Sequence, residues 1–325
     1  MSLTSLDILG IGNAIVDVLA PTDDAFLAGR GLPKGGMQLI DTAQAEALYA
    51  AMPAGVESSG GSAANTCAVA AALGARVGFL GKVAADQLGQ VFAHDIKAAG
   101  VHFPTAPLAS GAPTARCLIL VTPDGQRTMN TFLGACVTFG PADVDAAEVA
   151  RAKVVYLEGY LFDPPAAQAA FRAAAKAAHA AGRKVALTLS DPFCVGRHRD
   201  AFRAFVAEEC DILFANEAEI LALYETDDFE VAAKRVAQDV EIAALTRSEH
   251  GSVILSGGQR HVVPAQPTTV VDTTGAGDAY AAGFLAAWTM GKPLAEAGRW
   301  GSIAAAEVIS HYGARPQADL KALVG

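Results

Sequence analysis

The stretch VVDTTGAGDAYAAGFLAAW, Val270 to Trp288, decides how this chain is read. Thr273 and Thr274 lead into Gly275-Ala276-Gly277, a carboxylate follows at Asp278, and an apolar helical pattern begins. Glycine reaches backbone torsions that other residues avoid, and small side chains let a ligand approach the main chain. Successive N–H groups in such a turn form a concave nest, and the following helix adds its positive N-terminal end. Both suit a negative group such as a phosphoryl. A carboxylate beside that group repels it, unless Asp278 takes the proton of an attacking hydroxyl while the nest from Gly275 to Asp278 holds the phosphoryl oxygens. The competing reading makes Gly275 to Gly277 a tight turn and Asp278 a helix cap.

Outward from this turn, short apolar runs alternate with alanine-rich helical stretches. VGFLGKV (77–83) precedes DQLGQVFAHDIKAAG (86–100), and KVVYLEGY (153–160) precedes PPAAQAAFRAAAKAAHAAG (164–182). KVALTLS, DILFA, EIAALT and SVILS follow, with helical segments between several of them. The alternation predicts an α/β fold: a mainly parallel, doubly wound sheet with helices on both faces. LDILGIGNAIVDVLA (6–20) reads as the first strand. ARCLILVTPDGQRTMNTFL (115–133) breaks the rhythm as two strands joined at Pro123-Asp124-Gly125, which predicts a small β-sheet lid beside the main sheet. The expected organisation is a single domain over 1–325, with the lid built from excursions at about 13–40 and 102–135.

Composition narrows the function. Of 325 residues, 52% are hydrophobic and 18% charged, which places the chain among globular proteins. No run approaches the roughly 20 apolar residues of a spanning helix, and MSLTSLDILGIGN has no basic leader. No membrane partner is expected. A net charge of −10 without a basic stripe argues against nucleic acid. Five widely spaced cysteines, none in a C-x-x-C pair, predict neither a disulfide framework nor a zinc site and fit a cytoplasmic protein.

A second glycine-rich segment, SSGGSAANTCAVAAALG (58–74), places Gly60, Gly61 and Ser62 at a helix start with Asn65 one turn inside. The glycines permit close approach, and Ser62 and Asn65 offer short hydrogen-bonding groups suited to a polyol; a helix capped by Ser62 with Asn65 in solvent is the plainer alternative.

Together the two segments resemble the N- and C-terminal signatures of the ribokinase/PfkB family of small-molecule kinases: GGSAANTCAVAAALGARVGFLGKVAADQLG (60–89) and DTTGAGDAYAAGF (272–284). The resemblance implies a ribokinase-like fold and transfer of phosphate from ATP, with Mg2+, to an alcohol of a small nucleoside or sugar. It implies that Asp17, at the end of the first strand, binds acceptor hydroxyls. Asn216 and Glu219 in NEAE would organise magnesium and phosphates, Glu219 acting on the metal indirectly. Thr246, Ser248 and Gly251, with Thr273, fall in the nucleotide elements, although Ser248 stands where the family has glycine. Asp272 and Thr274 match a region where members hold a monovalent cation such as K+.

Three details are similar to adenosine kinases. GNAIVD places Asn13 and Asp17 as those enzymes do, TLSDPF (188–193) matches their LS-x-PF element, and QRTMNTFL (126–133) resembles their lid strand. By that matching Arg127 clamps the transferred phosphate, Met129 and Leu133 form an apolar wall, and Tyr160 and Phe193 contact the base; packing or solvation are the plain alternatives for each. The expected reaction is phosphorylation of adenosine at its 5′-hydroxyl. A free furanose or keto-sugar acid is the alternative acceptor, and a catalytically silent nucleotide or sugar sensor the distant one. Both monomer and homodimer occur among such proteins. A dinucleotide-binding dehydrogenase is disfavoured, because Ile15 occupies the third glycine position of GIGNAI.

Overall fold

Leu6–Ile11 (β1) is buried at every position, the pattern of a strand covered on both faces. Ile15–Pro21 (β2) alternates between buried and half-buried, the pattern of a strand with one covered face. The chain changes sheets between them. The run 6–20, expected as one strand, is therefore two, and Asp17 lies inside the second rather than at the end of the first. Gly12 permits the crossing, since a Cβ there would lie 2.3 Å from Glu158 Oε2.

The computed structural model describes residues 6–325. In chain order the next strands are β3 (Met37–Leu39), β4 (Val56–Gly60), β5 (Val77–Leu80), β6 (Val101–His102), β7 (Ala115–Val121) and β8 (Arg127–Phe132). They are followed by β9 (Ala152–Glu158), β10 (Lys184–Thr188), β11 (Ile212–Asn216), β12 (Ile242–Thr246), β13 (Ser252–Ser256) and β14 (Gln259–Val263). The nine-stranded main sheet has the order β14-β13-β12-β11-β10-β9-β1-β5-β6. It is parallel from β12 to β6, and β13 and β14 add an antiparallel ribbon at one edge.

Two apolar cores lie on its two faces, as the alternating pattern predicts. Ile8 points into a core shared with helices Ser62–Ala72, Ala276–Thr289 and Leu294–Val308, while Leu9 and Ile11 point into one shared with helices Pro165–Ala180, Arg199–Glu209 and Glu217–Tyr224. The five cysteines are free and buried.

The second sheet has the order β3-β8-β7-β2-β4. The expected hairpin is present: β7 and β8 pair antiparallel, and Gly125 has a φ of +81° at the turn. The expected excursions contain β2, β3, β7 and β8, but β4 lies outside them and pairs antiparallel with β2. Its sequence, VESSG, has no apolar alternation, because it is an edge strand with little to bury.

Helix Ala276–Thr289, which carries Asp278, is fixed by close backbone contact with its neighbour. A Cβ on Gly283 would lie 2.5 Å from the Trp300 carbonyl oxygen, and one on Gly301 2.8 Å from that of Tyr280. Gly283→Ala must push the two helices apart, and overpacking of this kind costs about 1–3 kcal/mol. The variant is expected to melt several degrees below the wild type by differential scanning calorimetry; an unchanged melting temperature would show the contact to be yielding.

Candidate active site

Gly275 is the N-cap of helix Ala276–Thr289, with φ +78°, and its missing Cβ would lie 2.6 Å from that of Ala314. Gly61 is the N-cap of helix Ser62–Ala72, with φ +95°, and its missing Cβ would lie 2.2 Å from the Asn13 carbonyl oxygen. Glycine is required at both places by torsion and by space. The two helix starts face each other. Ser62 Oγ donates to Asp278 Oδ1 at 2.6 Å, and Asn65 Nδ2 to Asp278 Oδ2 at 3.4 Å. The chain does turn tightly at Gly275, but the capping part of each plain alternative fails: Ser62 is not the N-cap of its helix, and Asp278 makes no capping bond.

These groups open on a cavity of about 830 Å³ at the carboxyl ends of the parallel strands, where open α/β sheets hold their ligands. Its walls include Asn13, Asp17, Gly61, Ser62 and Asn65 on one side and Thr273 to Asp278 on another. Asn216, Glu219 and Thr246 line a further part, and Met129, Leu133, Tyr160 and Phe193 an apolar part. Met37 and Leu39 of β3 extend that apolar wall.

Several expected residues lie elsewhere. Gly60 leaves room for its neighbour, because its Cβ would lie 2.3 Å from Asp17 Oδ2. Gly251, with φ +77°, serves a tight turn whose Cβ would lie 2.1 Å from the Val263 carbonyl oxygen. Ser248 takes φ +50°, left-handed torsion that explains why glycine is usual there. None of the three lines the cavity.

Arg127 and Asp272, expected at a phosphate and at a cation respectively, face each other. Arg127 Nη1 forms an ion pair with Asp272 Oδ2 and donates to Thr274 Oγ1 at 3.2 Å, so it is not free to clamp a phosphate in this state. Asp272 also accepts from Thr274 N, Thr274 Oγ1 and Gly313 N. Burial works against its charge, yet Thr274, Gly313 and Arg127 hold the Asp272 carboxyl below the usual range. In this arrangement the positive charge facing Asp272 is the Arg127 guanidinium.

Glu158, at the end of β9, was not anticipated. It is 1% exposed; Oε1 accepts from Asn13 Nδ2 at 2.6 Å, and Oε2 from Ala63 N at 2.8 Å and Asn13 N at 3.3 Å. Asn13 therefore spends its amide on Glu158. The signal for Glu158 was its place in KVVYLEGY, a carboxylate ending an otherwise apolar run. Arg315 was also missed; it reaches across to Ser59 of β4.

The charge balance defines what the cavity accepts. Six carboxylates line it (Asp17, Glu158, Asp163, Asp191, Glu219 and Asp278) against the single guanidinium of Arg197. Burial pushes the Asp278 carboxyl up to about 6, opposed by hydrogen bonds from Ser62 and Asn65 and by the charge of Arg315. Burial likewise raises Asp17 to about 6, and Glu158 and Glu219 to about 7. Asn216 and Glu219 form a reciprocal cap: Asn216 Oδ1 accepts from Glu219 N at 2.8 Å, and the Glu219 oxygens accept from Asn216 N and Nδ2 at 2.9 and 2.7 Å. Among the described residues no group of three His, Cys, Asp or Glu side chains is placed to hold a metal alone. A polyphosphate entering this acidic wall needs its own divalent cation, and the donor set near Asn216 and Glu219 fits one that keeps most of its waters.

The pfkB family carbohydrate kinase profile matches residues 37–320. The crystal structure of adenosine kinase from Sinorhizobium meliloti is 53% identical, with 98% of each chain covered and a TM-score of 0.90. A probable sugar kinase from Rhizobium etli is 50% identical, covering 99% of this chain and 98% of its own, also with a TM-score of 0.90. The ATP-dependent ribose-1-phosphate kinase of Halopiger xanaduensis is 32% identical over 265 residues, 81% of this chain and 85% of its own. With the ribokinase-like pair of sheets and the two glycine-capped helix starts, these matches lead to one conclusion: the chain belongs to the pfkB family of carbohydrate kinases.

Proposed function

We propose that this protein transfers the γ-phosphoryl group of ATP to the 5′-hydroxyl of adenosine. The observation that carries the phosphoryl-transfer reading is the meeting of a buried carboxylate, Asp278, with the Gly275–Gly277 backbone turn at one helix start on one cavity. In this reading Asp278 accepts the proton as the hydroxyl attacks; a value near 6 leaves it ionised at neutral pH yet basic enough to serve. The main-chain N–H groups from Gly275 to Asp278 meet charge developing on the phosphoryl oxygens. Asp17, Ser62 and Asn65 orient the ribose, with Gly60 and Gly61 keeping the backbone close. Magnesium, when bound with the nucleotide near Asn216 and Glu219, supplies charge neutralisation. Thr246 and Thr273 border the nucleotide's part of the cavity. The second sheet acts as the lid that excludes water.

Adenosine is preferred over a free sugar because of the apolar wall. Phe193 is 77% exposed, Met37 57% and Leu39 59%, all on the cavity. An exposed aromatic beside exposed aliphatic side chains suits a flat apolar face such as a purine. A sugar kinase is the second reading, favoured by the polar floor of carboxylates and amides around Asp278 and by the sugar kinase relatives.

In a coupled ADP-release assay over a nucleoside and sugar panel, adenosine is expected to show the highest kcat/KM. Phe193→Ala is expected to raise the KM for adenosine about tenfold, the equivalent of one stacked ring, and to leave that for ribose unchanged. Preference for ribose would reverse the ranking.

Asp278→Asn removes the base and is expected to lower kcat at least about 10²-fold, with ATP affinity by calorimetry largely retained. Wild-type-like turnover would take Asp278 out of the reaction.

Acidity should move activity and stability in opposite directions. Activity falls as Asp278 protonates below about pH 6. Asp17, Glu158, Glu219 and Asp278 each bind a proton more readily folded than unfolded. Their contribution to stability therefore grows as pH falls from 7, is complete below about pH 4, and is lost as pH rises through the folded values. The melting temperature is expected to be higher at pH 5 than at pH 7; a lower one would mean these groups stay ionised.

A further inference from the structure

Arg315 is left without a role by the kinase reading. Its Nη2 donates to the Ser59 carbonyl oxygen at 2.7 Å and to Ser59 Oγ at 3.0 Å, while Nε and Nη1 are buried without a protein partner. Ser59 in turn donates from N and Oγ to Asp95 Oδ2 at 2.8 and 2.5 Å. Removing a guanidinium from water with three of its five N–H donors unpaired is costly, so it calls for an electrostatic return.

The surroundings supply one. Ser59, to which Arg315 is bonded, is followed by Gly60, whose missing Cβ would lie 2.3 Å from Asp17 Oδ2, and Arg315 lies within electrostatic reach of Asp95, Asp17, Cys67 and Asp278. The Asp17 carboxylate accepts no hydrogen bond from any described residue. The charged groups acting on it are Arg315, Arg127 and Asp278, with the buried Cys117 thiol beside it. Asp278 is faced by Ser62, Asn65 and Arg315, and by Asp17, Tyr156, Glu158, Tyr160 and Glu219 across the cavity. Arg315 is thus the cation that both acids share.

Its loop also has a mechanical place. A Cβ on Gly125, in the hairpin turn of the second sheet, would lie 2.7 Å from the Tyr312 hydroxyl. Gly313 N donates to Asp272 Oδ2 at 3.1 Å, and Ala314 packs behind Gly275. Arg315 completes the set at Ser59 of β4. Residues 312–315 therefore touch the second sheet at two points and the backbone turn at two.

We propose that Arg315 is a positioning residue for phosphoryl transfer: its charge is shared by Asp17 and Asp278, and its guanidinium ties the loop behind the Gly275 turn to the second sheet. Only the kinetic part of its test rests on the proposed reaction. Arg315→Gln keeps a donor for Ser59 and loses the charge; Arg315→Lys keeps the charge. The side-chain carboxyl carbons of 13C-labelled aspartate are titrated by NMR, with Asp17 and Asp278 assigned through their Asn variants. In Arg315→Gln both midpoints are expected to rise by about one unit or more, the effect of removing a nearby opposite charge, and in Arg315→Lys to stay near wild type. The acid limb of kcat/KM for the best acceptor should rise in parallel in Arg315→Gln and hold in Arg315→Lys.

Should Arg315→Gln not fold, the double variant with Asp95→Asn removes the partner left uncompensated, and the same shifts are expected of it. Unmoved midpoints in a folded charge-removing variant would overturn the proposal, even if activity fell. If no acceptor is turned over by the wild type, the kinase reading fails and the NMR midpoints still decide the role of Arg315.

Discussion

The structure depends on keeping several carboxylates close together, out of water, at the carboxyl ends of one sheet. Glu158 and Glu219 are nearly sealed, and Asp17 and Asp278 share a cavity with them. Such a cluster persists only where dipoles replace hydration. The main chain supplies many of these: Ala63 N and Asn13 N serve Glu158, and Asn216 N serves Glu219. Directing N–H groups inward requires chain reversals at the starts of helices, which is why Gly61 and Gly275 stand where they do.

The same arrangement joins the two sheets. Gly12 to Ala14 carry the chain from β1 to β2, and Glu158 holds that crossing through both nitrogens of Asn13. Residues remote in sequence, Ser62 and Asp278, then meet because their helices share one face of the main sheet. Cavity geometry of this kind is a property of the core packing beneath it. The glycine contact between helices Ala276–Thr289 and Leu294–Val308 belongs to the site as much as the cavity does.

The fold was legible because period and composition report burial. Continuous apolar runs marked the covered strands, and Pro123-Asp124-Gly125 marked the hairpin. The break between β1 and β2 was not legible, since LDILGI and IVDVLAP are both apolar enough to continue one strand. β4 was silent because an edge strand needs no hydrophobic pattern. In the site, glycine torsions and short polar groups pointed to Gly61, Ser62, Asn65 and Asp278, all of which line the cavity. Pairing across 145 residues has no local signal, so the partners Arg127–Asp272 and Asn13–Glu158 emerged only from the structure.

The Arg127–Asp272 pair has a thermodynamic consequence. An arginine already matched to an internal anion reaches an incoming phosphate only by trading one counter-ion for another. Separating the pair would leave two charged side chains, each about a tenth exposed or less, without a counter-ion, so β8 of the second sheet and the loop bearing Asp272 are held together electrostatically.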